Sequence, residues 1–220
     1  MCISIKVFSL VIVMLLFRGI TVARLPIEVF AGQEKTTVDI MFFKFFKNKE
    51  KQNSKLLFFN RNRASIDYKM TETTNLPQFG FTEAISYNDQ KLKGVAPVVV
   101  LQVFNKGVYP KAGIQYSKIE KDYTIFSWLV CETLKNPTMD FFFLGRYTPK
   151  LTEGLNLFTQ VELVNAFPCA LKNNFNFVQR IRVGFKLKEF QFGAGIDLVE
   201  NGRVIYTNTN NIGGFLRYEF

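Results

Sequence analysis

From residue 27 onward, apolar and polar side chains alternate, and the alternating stretches are separated by clusters of Asn, Gly, Pro and Lys. Residues 175–188 show it most clearly. One face carries Phe175, Phe177, Gln179, Ile181, Val183, Phe185 and Leu187; the other carries Asn176, Val178, Arg180, Arg182, Gly184, Lys186 and Lys188. Residues 190–199 repeat it, with Phe190, Phe192, Ala194, Ile196 and Leu198 opposed to Gln191, Gly193, Gly195, Asp197 and Val199. Period two is the period of a β-strand, and helical spacing is scarce. The pattern predicts strands over 36–47, 55–68, 79–88, 95–104, 108–117, 122–133, 139–148, 154–165, 174–188, 189–199 and 211–220. Residues 26–33, with Ile27, Val29 and Ala31 against Glu28, Phe30 and Gly32, supply a further strand.

Strands with one apolar and one polar face suit a sheet that meets two different media. A soluble barrel points the apolar face inward, where it could hold an apolar ligand. A transmembrane barrel points it at lipid. The polar face here is rich in Arg and Lys with Gly between them, which suits an aqueous lumen. The 25 Phe residues exceed what one small soluble core needs. The fold class expected is therefore all-β, an antiparallel transmembrane β-barrel of about twelve strands, or ten if 27–47 forms one irregular element. Alternating the strands back from the C-terminus puts Lys188-Glu189 in a tight turn on the side of the chain ends. It puts 200–210 and the other long connections on the opposite side. The Lys-rich stretch 47–55 is long for a turn on the terminal side.

The chain closes on Phe215-Leu216-Arg217-Tyr218-Glu219-Phe220, with Ile212, Leu216, Tyr218 and Phe220 on one face and Arg217 and Glu219 on the other. This amphipathic final strand with a terminal Phe resembles the C-terminal signature of bacterial outer-membrane β-barrels. The texture, rich in Phe, Asn and Lys, is similar to small outer-membrane barrels of the Bacteroidetes type. The resemblance implies a Gram-negative outer membrane and recognition of the last strand, ending in Phe220, by the barrel-assembly machinery. No functional residue is carried over with it.

The first residues fit that destination. Lys6 precedes an apolar run from Val7 to Phe17, Arg18 ends the run, and Thr21-Val22-Ala23 offers a cleavage site. Eleven residues at about 1.5 Å each cannot cross a hydrocarbon core of about 30 Å. Residues 1–23 thus read as a signal peptide and 24–220 as one barrel domain. The chain carries 28 Lys and Arg against 18 Asp and Glu. Removal of Lys6 and Arg18 leaves 26 basic residues and a net charge of about +8. Cys131 and Cys169 remain and read as unbridged thiols. The absence of His removes imidazole-based catalysis and most zinc sites. Gly193-Ala194-Gly195 has no helix after it and reads as small inward residues, not a phosphate loop. No enzyme, cofactor or metal site is expected, and no nucleic-acid motif accompanies the basic charge. Basic turns point to anionic lipid or lipopolysaccharide as the contact. No oligomeric state follows from the sequence.

Charges on a lipid face cost about 2–4 kcal/mol at midplane for Arg or Lys, so they are expected to face the lumen. The candidate lining residues are Arg61, Arg63, Lys111, Glu132, Asp140, Arg146, Glu162, Arg180, Arg182, Lys186, Asp197, Arg217 and Glu219. The phase of Arg61 and Arg63 is ambiguous, because Asn60 and Asn62 then face out. Two readings stand: an arginine-lined passage for small anions, and an ion-pair network that plugs the barrel. Tyr109, Tyr116, Tyr123, Tyr147 and Tyr218 fall near strand ends, as an interfacial girdle requires. Trp128 falls mid-strand on the less apolar face.

Overall fold

The computed structural model describes residues 25–69, 77–132, 134 and 137–220. The stretch 1–23, expected to be a signal peptide, lies outside the described residues. Twelve strands close into an antiparallel barrel: β1 (Pro26–Gly32), β2 (Lys35–Lys47), β3 (Asn53–Asp67), β4 (Gln78–Tyr87), β5 (Val95–Phe104), β6 (Gly107–Ile119), β7 (Tyr123–Glu132), β8 (Thr138–Tyr147), β10 (Leu155–Pro168), β11 (Phe175–Leu187), β12 (Phe190–Gly202) and β13 (Tyr206–Glu219). A three-residue strand, β9 (Lys150–Thr152), folds back on the start of β10. Each strand pairs with its sequence neighbour, and β1 closes the ring on β13 from Pro26↔Glu219 to Gly32↔Gly213. The ten-strand alternative fails because β1 and β2 are separate strands of one hairpin, in register from Ile27↔Ile40 to Ala31↔Thr36.

Both ends of the barrel chain meet at one rim, called here the terminal rim. The stretch 47–55 is no anomaly there. Asn48 Oδ1 accepts from the Glu50 and Gln52 amides at 3.1 and 2.9 Å, and Lys51 turns the chain at φ 63°. The expected long connection at 200–210 is corrected. β12 and β13 continue in register to Gly202↔Tyr206, leaving only residues 203–205 as a turn. Residues 204–210 are exposed on both faces, so this hairpin projects beyond the barrel. The expected concentration of long connections at the far rim is corrected with it. The ten-residue link between β3 and β4 is there, but the next longest, 88–94 and 148–154, lie at the terminal rim. Asn and Thr can satisfy a ladder's hydrogen bonds in water, so length that reads as loop becomes overhanging strand.

Apolar rows cover most of the outer face. On β11, Ile181, Val183 and Phe185 are exposed while Arg182 is 2% exposed. On β5, Val99 stands outward at 64% exposure, and on β6 Ile114 at 56%. The soluble-barrel alternative, with the apolar face turned inward, does not hold for this arrangement. Tyr109 shares the inward face of buried Lys111 and leaves the outer girdle. The terminal rim keeps Tyr87, Tyr147 and Tyr218 outside, with Tyr218 packed on Phe190 and Phe220 at 4.7 and 4.6 Å between ring centroids. Cys131 and Cys169 are free and exposed.

Candidate functional site: a filled lumen

The inward faces of the strands do not leave an open bore. On one side they form an aromatic plug. Phe59 of β3 stacks on Phe126 of β7 at 5.2 Å and 9°, and Phe43 of β2 reaches the same ring at 4.8 Å. Trp128 packs on Phe59 at 5.1 Å and on Phe142 at 4.9 Å, with Leu57, Val98, Val100, Val130 and Leu144 around them. β2 and β7 are five strands apart along the ring, so these contacts cross the lumen. The mid-strand Trp128 is thereby placed: it is a member of this interior cluster, held by rings from β3, β7 and β8.

The other side is ionic. Arg61 donates from Nε and Nη2 to Asp39 at 3.2 and 2.5 Å, and from Nη1 to Glu162 at 2.7 Å. β3 and β10 lie six strands apart in either direction round the ring, so Arg61–Glu162 ties opposite walls. Arg180 pairs with the same carboxylate. Arg63 meets Asp197 at 3.2 Å, and Arg182 meets Asp197 at 2.8 Å and Glu28 at 3.1 Å. Arg217 completes the chain of contacts by donating to Glu28 at 2.5 Å. This single network holds five guanidinium groups (61, 63, 180, 182, 217) and four carboxylates (28, 39, 162, 197). Its excess positive charge is spread into neutral acceptors and rings. Gln160 Oε1 accepts from Arg146 at 2.9 Å and from Arg217 at 3.2 Å. Arg182 lies 3.8 Å over the Phe30 ring, and Arg217 lies 5.0 Å over Phe158. A buried charge is tolerable only when paired and hydrogen-bonded in this way.

Gly195 shows how the backbone makes room. A Cβ there would lie 2.6 Å from Cδ of Arg182. The small inward residues read from the sequence leave space, and the space is taken by a guanidinium.

Two smaller polar groups flank the network. Toward the far rim, Lys111 pairs with Asp140, and Glu132 stands opposite Lys111 in register. Toward the terminal rim, Lys186 Nζ pairs with Glu219 at 2.8 Å, and Gln191 Nε2 donates to Glu219 at 2.6 Å. Here a cavity of about 110 Å³ is lined by Lys121, Tyr123, Thr124, Arg146, Thr148, Lys186, Gln191 and Glu219. A second cavity, of about 50 Å³, lies between the plug and the network beside Phe59, Arg61, Trp128 and Asp140. That volume holds a water or two and not a lipid. No group of acidic and thiol side chains suited to a metal occurs among the described residues.

All thirteen candidate residues occupy inward positions, in three groups and not one continuous row. The phase of β3 is resolved with Arg61 and Arg63 inside and Asn60 and Asn62 outside. Sequence reasoning missed Asp39, Glu28, Gln160 and the plug rings as parts of the interior. For Glu28 a signal existed, since it alternates with Ile27 and Val29. For Phe59, Phe126, Phe142 and Phe158 none did, because inward and outward rings are the same residue type.

No family model and no curated protein matches this chain. Among solved structures, the KdgM porin is 9% identical, covers 90% of this chain and 99% of its own, and has a TM-score of 0.48. A chain solved in a study headed "Unveiling the Mechanism Behind the in-meso Crystallization of Membrane Proteins" is 11% identical over 90% of this chain and 84% of its own, at a TM-score of 0.45. A mutant of the Rh. blastica porin is 8% identical over 90% of this chain and 97% of its own, at 0.28.

Proposed function

We propose that the chain is an outer-membrane barrel whose lumen is held shut by its own side chains, a membrane-embedded scaffold and not an open pore. The Arg61–Glu162 pair carries this reading, because it joins strands on opposite walls at 2.7 Å. The aromatic plug supports it from the other side of the interior. Embedding in lipid is supported by the outward rows of Val, Ile, Leu and Phe. Each such side chain gains about 1.5–3 kcal/mol when taken out of water. An exported route through a cleaved segment 1–23, with the Phe220 strand as the handle for barrel assembly, belongs to the same proposal. So do a periplasmic terminal rim and basic turns that meet anionic lipid or lipopolysaccharide. Purification tests the setting: the protein is expected in the outer-membrane fraction, needing detergent and changing gel mobility on heating. Planar-bilayer recording tests the plug, with no conductance steps expected at 100 mV in 1 M KCl. Large steps in the wild-type protein would overturn it.

A second reading, a narrow passage preferring small anions, is favoured by one observation. The terminal-rim cavity is lined by Lys121, Arg146 and Lys186, and Arg146 shares the Gln160 acceptor with Arg217 of the network, which has one surplus positive charge. Under that reading the wild type shows small anion-selective steps, and Arg180→Ala with Arg182→Ala abolishes the selectivity.

A further inference from the structure

One part of the outer wall does not suit lipid. On β3, Asn60 and Asn62 point outward, and on β4 so does Glu83, with Asn60 opposite Glu83 in register. Asn60 is the eighth of fifteen residues of its strand and Glu83 the sixth of ten, so both stand at mid-height. Asn60 Nδ2 donates to Glu83 Oε1. Three acceptors there have no hydrogen bond among the described residues: Asn60 Oδ1, Asn62 Oδ1 and Glu83 Oε2. Asn60 is only 6% exposed, screened by its neighbours on the wall, so water does not serve it freely. Exposed Phe81, Ile85 and Leu101 ring the group with apolar surface. On the neighbouring β2, alternation places Lys44 on the same outer face, one row nearer the terminal rim, opposite Phe58. Acyl chains offer no hydrogen bonds, and headgroups lie far from mid-height. An unsatisfied polar group in hydrocarbon costs several kcal/mol.

We propose that the outer face of β2–β3–β4 is the contact between two copies of this chain in the membrane. The patch is self-complementary. A two-fold axis along the membrane normal, passing between the β3 strands, sets β2 of each copy against β4 of the other. Lys44 of one copy then faces Glu83 of its partner one row away, within the reach of a lysine side chain. Asn60 and Asn62 meet their own counterparts near the axis. An asparagine amide both donates and accepts, so a facing pair satisfies the orphaned oxygens on both sides. Polar side chains act as glue between membrane segments in this way. The proposal rests on the membrane reading above.

The test uses the full barrel with Cys131→Ser and Cys169→Ser, singly labelled in supported bilayers. Two-step photobleaching is expected. Asn62→Cys in this background is expected to form a disulfide dimer under mild oxidant, while Val161→Cys on the far wall is not. Asn60→Leu with Glu83→Leu is expected to raise the monomer–dimer Kd about tenfold or more. Lys44→Glu and Glu83→Lys each weaken the dimer, and together they restore it. Single-step bleaching without cross-linking at position 62, in protein that still requires detergent, overturns the contact and leaves the membrane reading standing. Stoichiometric capture of a different protein on this face by a single copy also overturns it. Protein that stays in solution without detergent overturns the membrane reading instead.

Discussion

Replacing Glu162 with alanine takes one acid from the centre of the barrel. The side chain is 1% exposed and receives Arg61 at 2.7 Å and Arg180 beside it. Arg61 keeps its two-pronged contact with Asp39, so it is not abandoned. Arg180 is left with Asp197 at 3.7 Å, and the network shifts from five against four to five against three. Removing one partner of a buried ion pair costs about 3–5 kcal/mol, because the other charge stays buried. That is the loss expected for Glu162→Ala. Glu162→Gln keeps the volume and one acceptor and is expected to lose less. The assay is urea unfolding of the refolded barrel in vesicles. Trp128 is the chain's sole tryptophan and sits inside the plug, so its fluorescence reports the interior. In a water-filled lumen the same pair would be screened and worth about 1 kcal/mol or less. Unfolding free energies for both variants that match wild type within the extrapolation scatter of about 10–15% would refute the sealed interior.

Three further outcomes follow from the same geometry. Phe59→Ala, at the hub of the plug, is expected to cost about 3–5 kcal/mol in the same assay and to admit quencher to Trp128. Val99→Arg, on the outer wall of β5, is expected to cost about 2–4 kcal/mol and to lower the yield of heat-modifiable barrel; a water-facing position would tolerate it. Asp89 lies in the 88–94 turn at the terminal rim and accepts from Lys55 Nζ at 2.6 Å and from the Lys91 amide at 2.9 Å. The lysine contact, with the amide behind it, holds the carboxyl below its ordinary 3.8. A lowered folded-state value means the contribution is whole above the unfolded-state 3.8 and is lost as pH falls below that, through the lower folded-state value. Melting curves between pH 6 and 3 are expected to lose this small acid-limb slope in Asp89→Asn.

The outer wall was the legible part of this molecule. On β11 and β12 the outward face is an apolar row broken only at Gln179, and the strands from Phe175 to Val199 can be read at sight. The interior enforces no such uniformity. It accepts Phe126 beside Thr124, and Phe158 beside Gln160, as long as volume is filled and charge is paired. Which acid meets which arginine depends on ring closure: Arg61 and Glu162 are 101 residues apart and become neighbours only when twelve strands are complete. Asp39 escaped notice because its strand carries Lys44 outward and Phe43 inward, reversing the usual sign of both faces. Connection lengths misled at 200–210, where Asn and Thr extend a ladder into water.

Glu28 sits on the first strand, yet its two guanidinium partners arrive 154 and 189 residues later, on β11 and β13. An incomplete sheet therefore carries a naked carboxylate on the wall that will become its interior, in addition to an unpaired edge. Seam closure and charge neutralisation are one event. A chain interrupted before Arg217 is penalised twice over, and the barrel's own chemistry sorts finished copies from unfinished ones.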